Sequence, residues 1–168
     1  MICGESGSGK TTVVKELCKR FKIKELQSYT TRPKRSDDES GHIFISKLEF
    51  DKLSNKVAYT KFDKYEYCAT CDQVNESDVL TIDPKGIEFF SNNYKGTKRY
   101  LVIYIYVEPE KRKQRMIIRG DKINDIENRI KHDKIAFKNV SQIADYTVAN
   151  ETIEKCLLDI WKYISNIN

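Results

Sequence analysis

Hydrophobic and polar positions along this chain fall into blocks whose period changes repeatedly. Val13, Val14, Leu17, Cys18 and Phe21 recur at helical spacing and predict a helix over 10–21. Ile2 and Cys3 just before it read as the end of a buried strand, and residues 23–27 as a short strand. Residues 28–41 are polar and punctuated by Pro33 and Gly41, the composition of a loop. A strand is expected at 42–45. Ser46 then caps a short helix, Glu49 completing a capping box and Phe50 and Leu53 giving its apolar face. Alternation at 57–62 predicts another strand, followed by the segment Tyr65-Glu66-Tyr67-Cys68-Ala69-Thr70.

Val79-Leu80-Thr81-Ile82 reads as a buried strand closed by Asp83, with a helix from Pro84 that carries Ile87, Phe89 and Phe90. Residues 92–97 read as a turn. The run at 100–107 is apolar without alternation, as a central parallel strand covered on both faces requires. A helix from about 110 carries Arg112, Arg115 and Arg119 and ends at Gly120, and a charged amphipathic helix spans about 124–139. A last strand at 146–149 precedes Asn150, read as the cap of a closing helix with Ile153, Leu157, Ile160, Trp161 and Ile164 on its apolar face.

This order is β-α-β, an insertion, then β-α-β-α-α-β-α. It predicts an α/β fold: a three-layer α/β/α arrangement around a parallel sheet, with the site at the carboxyl ends of the strands. The expected division is a single domain with a core at about 1–27, 76–111 and 135–168. A small α+β insertion occupies about 28–75 and a helical lid about 112–134.

Chemistry enters at residues 4–12. Gly4-Glu5-Ser6-Gly7-Ser8-Gly9-Lys10-Thr11-Thr12 fits G-x-x-x-x-G-K-[ST], the phosphate-binding P-loop. Glycines let the backbone approach an anion closely, and its N–H groups then wrap the phosphates as a nest. Lys10 adds a point charge at the β/γ-phosphates, and the Thr11 hydroxyl is placed to ligate a phosphate-bound Mg²⁺. The whole run is the candidate phosphate cradle, Glu5 and Ser8 serving as simple loop positions. A chance glycine–serine turn is the alternative. The strand before the run and the helix after it favour the phosphate loop, because a helix N-terminus attracts anions.

Composition narrows the picture further. The 168 residues suffice for one domain with a real core, and 39% apolar with 33% charged is ordinary for a soluble globular protein. No apolar run reaches the length of a membrane span, so no membrane partner is expected. The chain begins directly in the first strand, which is short on its N-terminal side, with no export signal before it; a cytoplasmic location is the expectation. The five cysteines are scattered and read as free thiols, Cys68-x-x-Cys71 being a weak metal or redox signal without a second pair. A net charge of +5 raises nucleic acid as a partner, but no aromatic-plus-basic motif accompanies it, and small anionic substrates account for it equally. Oligomeric state, monomer or homodimer, is left open.

Arg32 and Arg35 lie close behind a run of hydroxyls in the 28–41 loop. Two guanidinium forks with hydroxyls suit a second phosphate group, and a solvated basic loop suits the same residues. The arginine-rich hairpin at 112–134 is placed to close over the P-loop as a lid, or else is a solvated helical pair. Asp83 reads as a group near Mg²⁺ or substrate, as the N-cap of the following helix, or as both.

Taken together the chain resembles the guanylate kinase family across nearly its whole length. Ser28-x-Thr30-Thr31-Arg32-x-x-Arg35 followed by Phe44-Ile45-Ser46 is similar to the family's monophosphate-binding loop. Tyr65-x-Tyr67-Cys68-Ala69-Thr70 resembles its Y-Y-G-[ST] turn, and Ile82-Asp83-Pro84-Lys85-Gly86 its D-x-D-x-x-G segment. Arg115-x-x-x-Arg119-Gly120 with Arg129 matches its lid arginines, and the stretch 145–150 ending in Asn150 resembles the segment near the ATP base.

The resemblance implies ATP- and Mg²⁺-dependent phosphorylation of a nucleoside monophosphate, GMP or dGMP. Ser28, Arg32, Arg35, His42, Tyr67 and Thr70 would then surround the acceptor's phosphate, with Asp83 near its base. Lys10, Arg115, Arg119 and Arg129 would neutralise the phosphates in flight. Departures cluster at base recognition. His42 stands where a Tyr is expected, Ala58 near the family's guanine-reading Glu, and Cys68 at the turn Gly. Ala69 stands at a hydroxyl position and Thr81 at the first Asp of the pair. They keep open a same-fold kinase with another small phosphorylated acceptor. A non-catalytic module that binds a phosphorylated peptide would not need Lys10 and Thr11.

Overall fold

The computed structural model describes residues 1–34, 37, 39 and 41–167. In chain order the elements are β1 (Ile2–Cys3), α1 (Lys10–Phe21), β2 (Ser28–Thr30), β3 (His42–Phe44), α2 (Lys47–Lys52), β4 (Lys56–Phe62) and β5 (Tyr65–Thr70). They continue with α3 (Cys71–Asn75), α4 (Pro84–Asn93), β6 (Ile103–Tyr106), α5 (Pro109–Ile118), α6 (Ile123–Ala136), β7 (Tyr146–Ala149) and α7 (Ile153–Ser165).

β6 is central, as its continuous apolar run requires, and pairs in parallel with β1 on one side and β7 on the other. The sheet continues beyond β1 through isolated parallel bridges, Ile2 with Thr81 and Glu25 with Val79. Alternate residues face opposite layers. Ile2, Ile103, Ile105 and Val148 pack with Val13, Val14 and Leu17 of α1 and Leu157 and Ile160 of α7. Cys3, Val102 and Tyr104 pack on the other side with Ile87 of α4. These faces make the three expected layers. Each strand delivers its carboxyl end to the same edge, where the chain turns into α1, α4, α5 and α7.

A second, mixed sheet lies within residues 28–70 in the order β3-β2-β5-β4. β2 runs parallel to β3 and antiparallel to β5, and β4 and β5 form a hairpin turned at Asp63 and Lys64, Asp63 holding φ of 55°. α4 packs against β4 and joins the two sheets.

The structure corrects the sequence expectations at several places. The strand expected at 23–27 reduces to the Glu25 bridge and the Leu26 N–H donating to Val79 O at 2.8 Å. The true second strand, β2, lies in the first residues of the stretch read as loop. Its polar side chains are satisfied by tertiary partners: buried Thr30 donates its hydroxyl to Glu66 O at 3.1 Å. The strand expected at 79–82 likewise forms single bridges, and β6 is shorter than the apolar run around it. Helix α3 was not foreseen, although Thr70 and Gln73 form a capping box at its start. Asn150 does not cap α7; Thr152 does, its hydroxyl accepting from Lys155 N–H at 3.3 Å. The caps expected at Ser46 and Asp83 are both present.

Candidate functional site

The loop between β1 and α1 is held from below and from behind. Asn150 is buried and donates its amide to Ser8 O at 2.8 Å, while Arg115 spans Ser8 O at 3.3 Å and Asn150 O at 3.0 Å. Glu5 turns away from the loop's open side, accepting from Tyr104 O–H at 2.7 Å and facing Arg112 at 3.6 Å. Burial and that bond to Glu5 push the Tyr104 hydroxyl pKa well up. Lys10 folds back onto the carbonyl oxygens of Gly4 and Glu5. Desolvation lowers its pKa, and Asp133 is the strongest neighbour opposing that shift. Gly7 and Gly9 hold φ of 76° and 89°, so two of the loop's turns lie in the left-handed region.

Above the loop opens a cleft of about 1000 Å³. Gly4, Ser6, Lys10 and Thr11 line one wall, and Ser28, Arg32, His42, Tyr67 and Asp83 line the opposite one. Arg129 reaches the same space from α6. On the far wall Ser28 Oγ and His42 Nδ1 share a hydrogen bond of 2.8 Å, and the His42 and Tyr67 rings lie 5.6 Å apart. The buried Arg32 fork is filled by Glu39, at 2.6 and 3.1 Å. On the same wall Asp83 accepts from Gly86 N–H at 2.7 Å with one oxygen and from the Thr60 hydroxyl at 2.8 Å with the other. Asp83 is therefore both the helix cap and a wall of the cleft.

Several expected residues sit elsewhere. Thr70 caps α3 and does not line the cleft. Arg119 is exposed and paired with Asp121, two residues along, instead of reaching the loop. Arg115 braces the loop's backbone from behind, and its guanidinium does not line the cleft. Thr12 is exposed on α1, and Gly7, Ser8, Gly9 and Asn150 form the loop's underside. Arg35 lies outside the described residues.

The loop at the N-terminus of α1 and the set Ser28, Arg32, His42 and Tyr67 line one and the same cleft. The family profile described as guanylate kinase matches residues 1–167. The chain belongs to the guanylate kinase family. It is 31% identical over 170 residues to the guanylate kinase of Thermotoga maritima, covering 92% of this chain and 79% of that one. It is 30% identical over 181 residues to that of Clostridium tetani, covering 98% and 84%. The crystal structure of guanylate kinase from Anaplasma phagocytophilum shares the fold, with a TM-score of 0.70 at 22% identity, covering 99% of this chain and 82% of that one.

In this guanylate kinase family member, three residues that sequence reading passed over contribute to the cleft or to the loop. Thr60 donates to Asp83. Asp133, buried on α6, accepts the Ser6 N–H at 2.7 Å. Arg112, also buried, faces Glu5 and Asp133 and donates to Val107 O at 3.2 Å. Helical spacing was the available signal, since Asp133 follows Arg129 by one turn and Arg112 precedes Arg115 by three residues. Among the described residues no helix is long and apolar enough to cross a membrane.

Proposed function

We infer that the protein transfers the γ-phosphoryl group of ATP to a nucleoside monophosphate, GMP or dGMP, giving the diphosphate. One observation carries this reading: in a chain of the guanylate kinase family, the P-loop and the Ser28–Arg32–His42–Tyr67 cluster face each other across a single cleft. Such a geometry suits phosphoryl transfer, which needs two phosphates held in line and their charge neutralised more than it needs covalent help. The loop N–H groups and Lys10 hold the donor's phosphates; the hydroxyls of Ser28 and Tyr67 hold the acceptor's, joined by Arg32 when Glu39 yields its fork. Arg129 reaches the space between them. Asp83 and Thr60 stand where the acceptor base enters. No general base is required beyond the acceptor phosphate itself.

The donor set fits a phosphate-bound Mg²⁺: the Thr11 hydroxyl is exposed at the cleft wall beside Lys10. Thr11 would hold the ion together with phosphate oxygens, and the ion supplies neutralising charge when bound. Helices α5 and α6 act as the lid and the 28–70 sheet as the acceptor-binding unit. A cytoplasmic location suits work on ATP and a free monophosphate.

ATP consumption with GMP, dGMP, AMP, CMP and UMP supplied in turn with Mg²⁺ tests the reading. GMP or dGMP is expected to stand well above the others. Equal or absent turnover across the panel would overturn it.

A further inference from the structure

Ser6 lines the cleft at the P-loop, and its N–H is already taken. Asp133 Oδ2 accepts it at 2.7 Å, although Asp133 belongs to a helix 127 residues further along the chain. The carboxylate is only 6% exposed. Arg112 Nη1 lies 3.7 Å from the same oxygen and has no hydrogen-bond partner among the described residues. Arg112 is itself 6% exposed, and its other carboxylate neighbour, Glu5, stands 3.6 Å away. Lys10 feels Asp133 more strongly than any other charge. A carboxylate thus sits among a loop N–H, a buried guanidinium and the loop lysine, the surroundings a phosphate oxygen seeks.

We propose that Asp133 stands in the phosphate cradle of the loop and gives way to the nucleotide's phosphates. The inference rests on the kinase reading. An amide N–H has one proton and makes one strong hydrogen bond, so Ser6 cannot serve Asp133 and a phosphate oxygen together. Leaving the carboxylate in place would also set like charges in contact inside a poorly hydrated pocket. Displacement frees Ser6 N–H and Arg112 for the incoming anion.

The test measures binding of the non-hydrolysable ATP analogue AMP-PNP with Mg²⁺ by calorimetry, in the native chain and in Asp133→Asn, Asp133→Ala and Asp125→Asn. Asp125 lines the same cleft from the same helix without a bond to the loop, so its substitution controls for charge alone. Asp133→Ala is expected to tighten the analogue by roughly tenfold and Asp133→Asn by less, the competitor being a charge-assisted hydrogen bond. Asp125→Asn is expected to change it by less than about twofold, as an exposed charge does. Unchanged or weaker binding in both Asp133 variants at native circular dichroism would overturn the inference. If the native chain turns over GMP while these results fail, only the role of Asp133 falls. If it neither binds the analogue nor phosphorylates a monophosphate, the kinase reading falls first.

Discussion

A methyl group placed on Gly7 would meet the backbone of a different helix. Built on the existing chain, it falls 2.6 Å from Arg112 O and 3.1 Å from both Arg112 C and Cα. These are main-chain atoms at the start of α5, so relief requires the loop or the helix to shift. Gly7 also holds φ of 76°, where an alanine costs about 1–2 kcal/mol. Gly120 provides the matched control: its φ is 88°, and nothing lies within 4 Å of a methyl group there. Gly120→Ala should therefore show the backbone cost alone, about 1–2 kcal/mol. Gly7→Ala should add an overpacking cost of about 1–3 kcal/mol. At about 2–4 °C per kcal/mol for a chain of this size, Gly120→Ala is expected to lower Tm by roughly 4 °C and Gly7→Ala by about twice that. Thermal melts with and without AMP-PNP and Mg²⁺ give the second comparison. Gly120→Ala should keep the ligand-induced rise in Tm, and Gly7→Ala should lose most of it. Equal losses of stability in the two variants, or a full ligand response in Gly7→Ala, would refute the claim that close packing of the loop on α5 shapes the cradle.

Lys10→Ala is expected to reduce turnover by at least about a hundredfold, the scale of losing one fixed charge at the transferring group, with far-UV circular dichroism unchanged. Asp83→Ala removes a helix cap and the bond from Thr60, together about 2 kcal/mol, so Tm should fall by roughly 4–8 °C. Asp83→Asn retains one cap acceptor and should cost less stability; a raised KM for GMP in that variant, with the KM for ATP unaltered, checks the placement of Asp83 at the acceptor base. Burial pushes the thiols of Cys3, Cys68 and Cys156 up to about 11, so at pH 8 iodoacetamide should label Cys71 and Cys18 well before these three, as peptide mapping would show. The same shifts carry a sign for stability. The folded chain keeps protons on these thiols that the unfolded chain releases near pH 9, so their stabilising contribution is complete below pH 9 and lost as pH rises towards 11. Melts that show no decline over that interval would count against the burial of all three.

Local chemistry alone determined much of this protein. The P-loop, helix α1, the caps at Ser46 and Asp83, the central position of β6 and the bounds of β7 are written in short stretches, because each depends on residues within a few positions of one another. Helical spacing, an oxygen side chain before a helix and an unbroken apolar run need no distant partner to be recognised. Tertiary structure decided the rest. β2 is polar and reads as loop until β3 and β5 close on it and Glu66 O takes the Thr30 hydroxyl. Asn150 stands just before a helix, as a cap would, yet its amide goes to Ser8 O, a partner 142 positions earlier in the chain. Arg115 and Arg119 look alike on one helix face, but only folding shows that one holds the loop's carbonyls while the other pairs beside itself with Asp121. Asp133 is one charge among many in the sequence and accepts the Ser6 N–H only where α6 crosses the loop. The division follows from range. Backbone conformation and capping are set by neighbours in sequence, whereas the partner of a buried polar group is whichever donor or acceptor the fold brings within reach once water has gone.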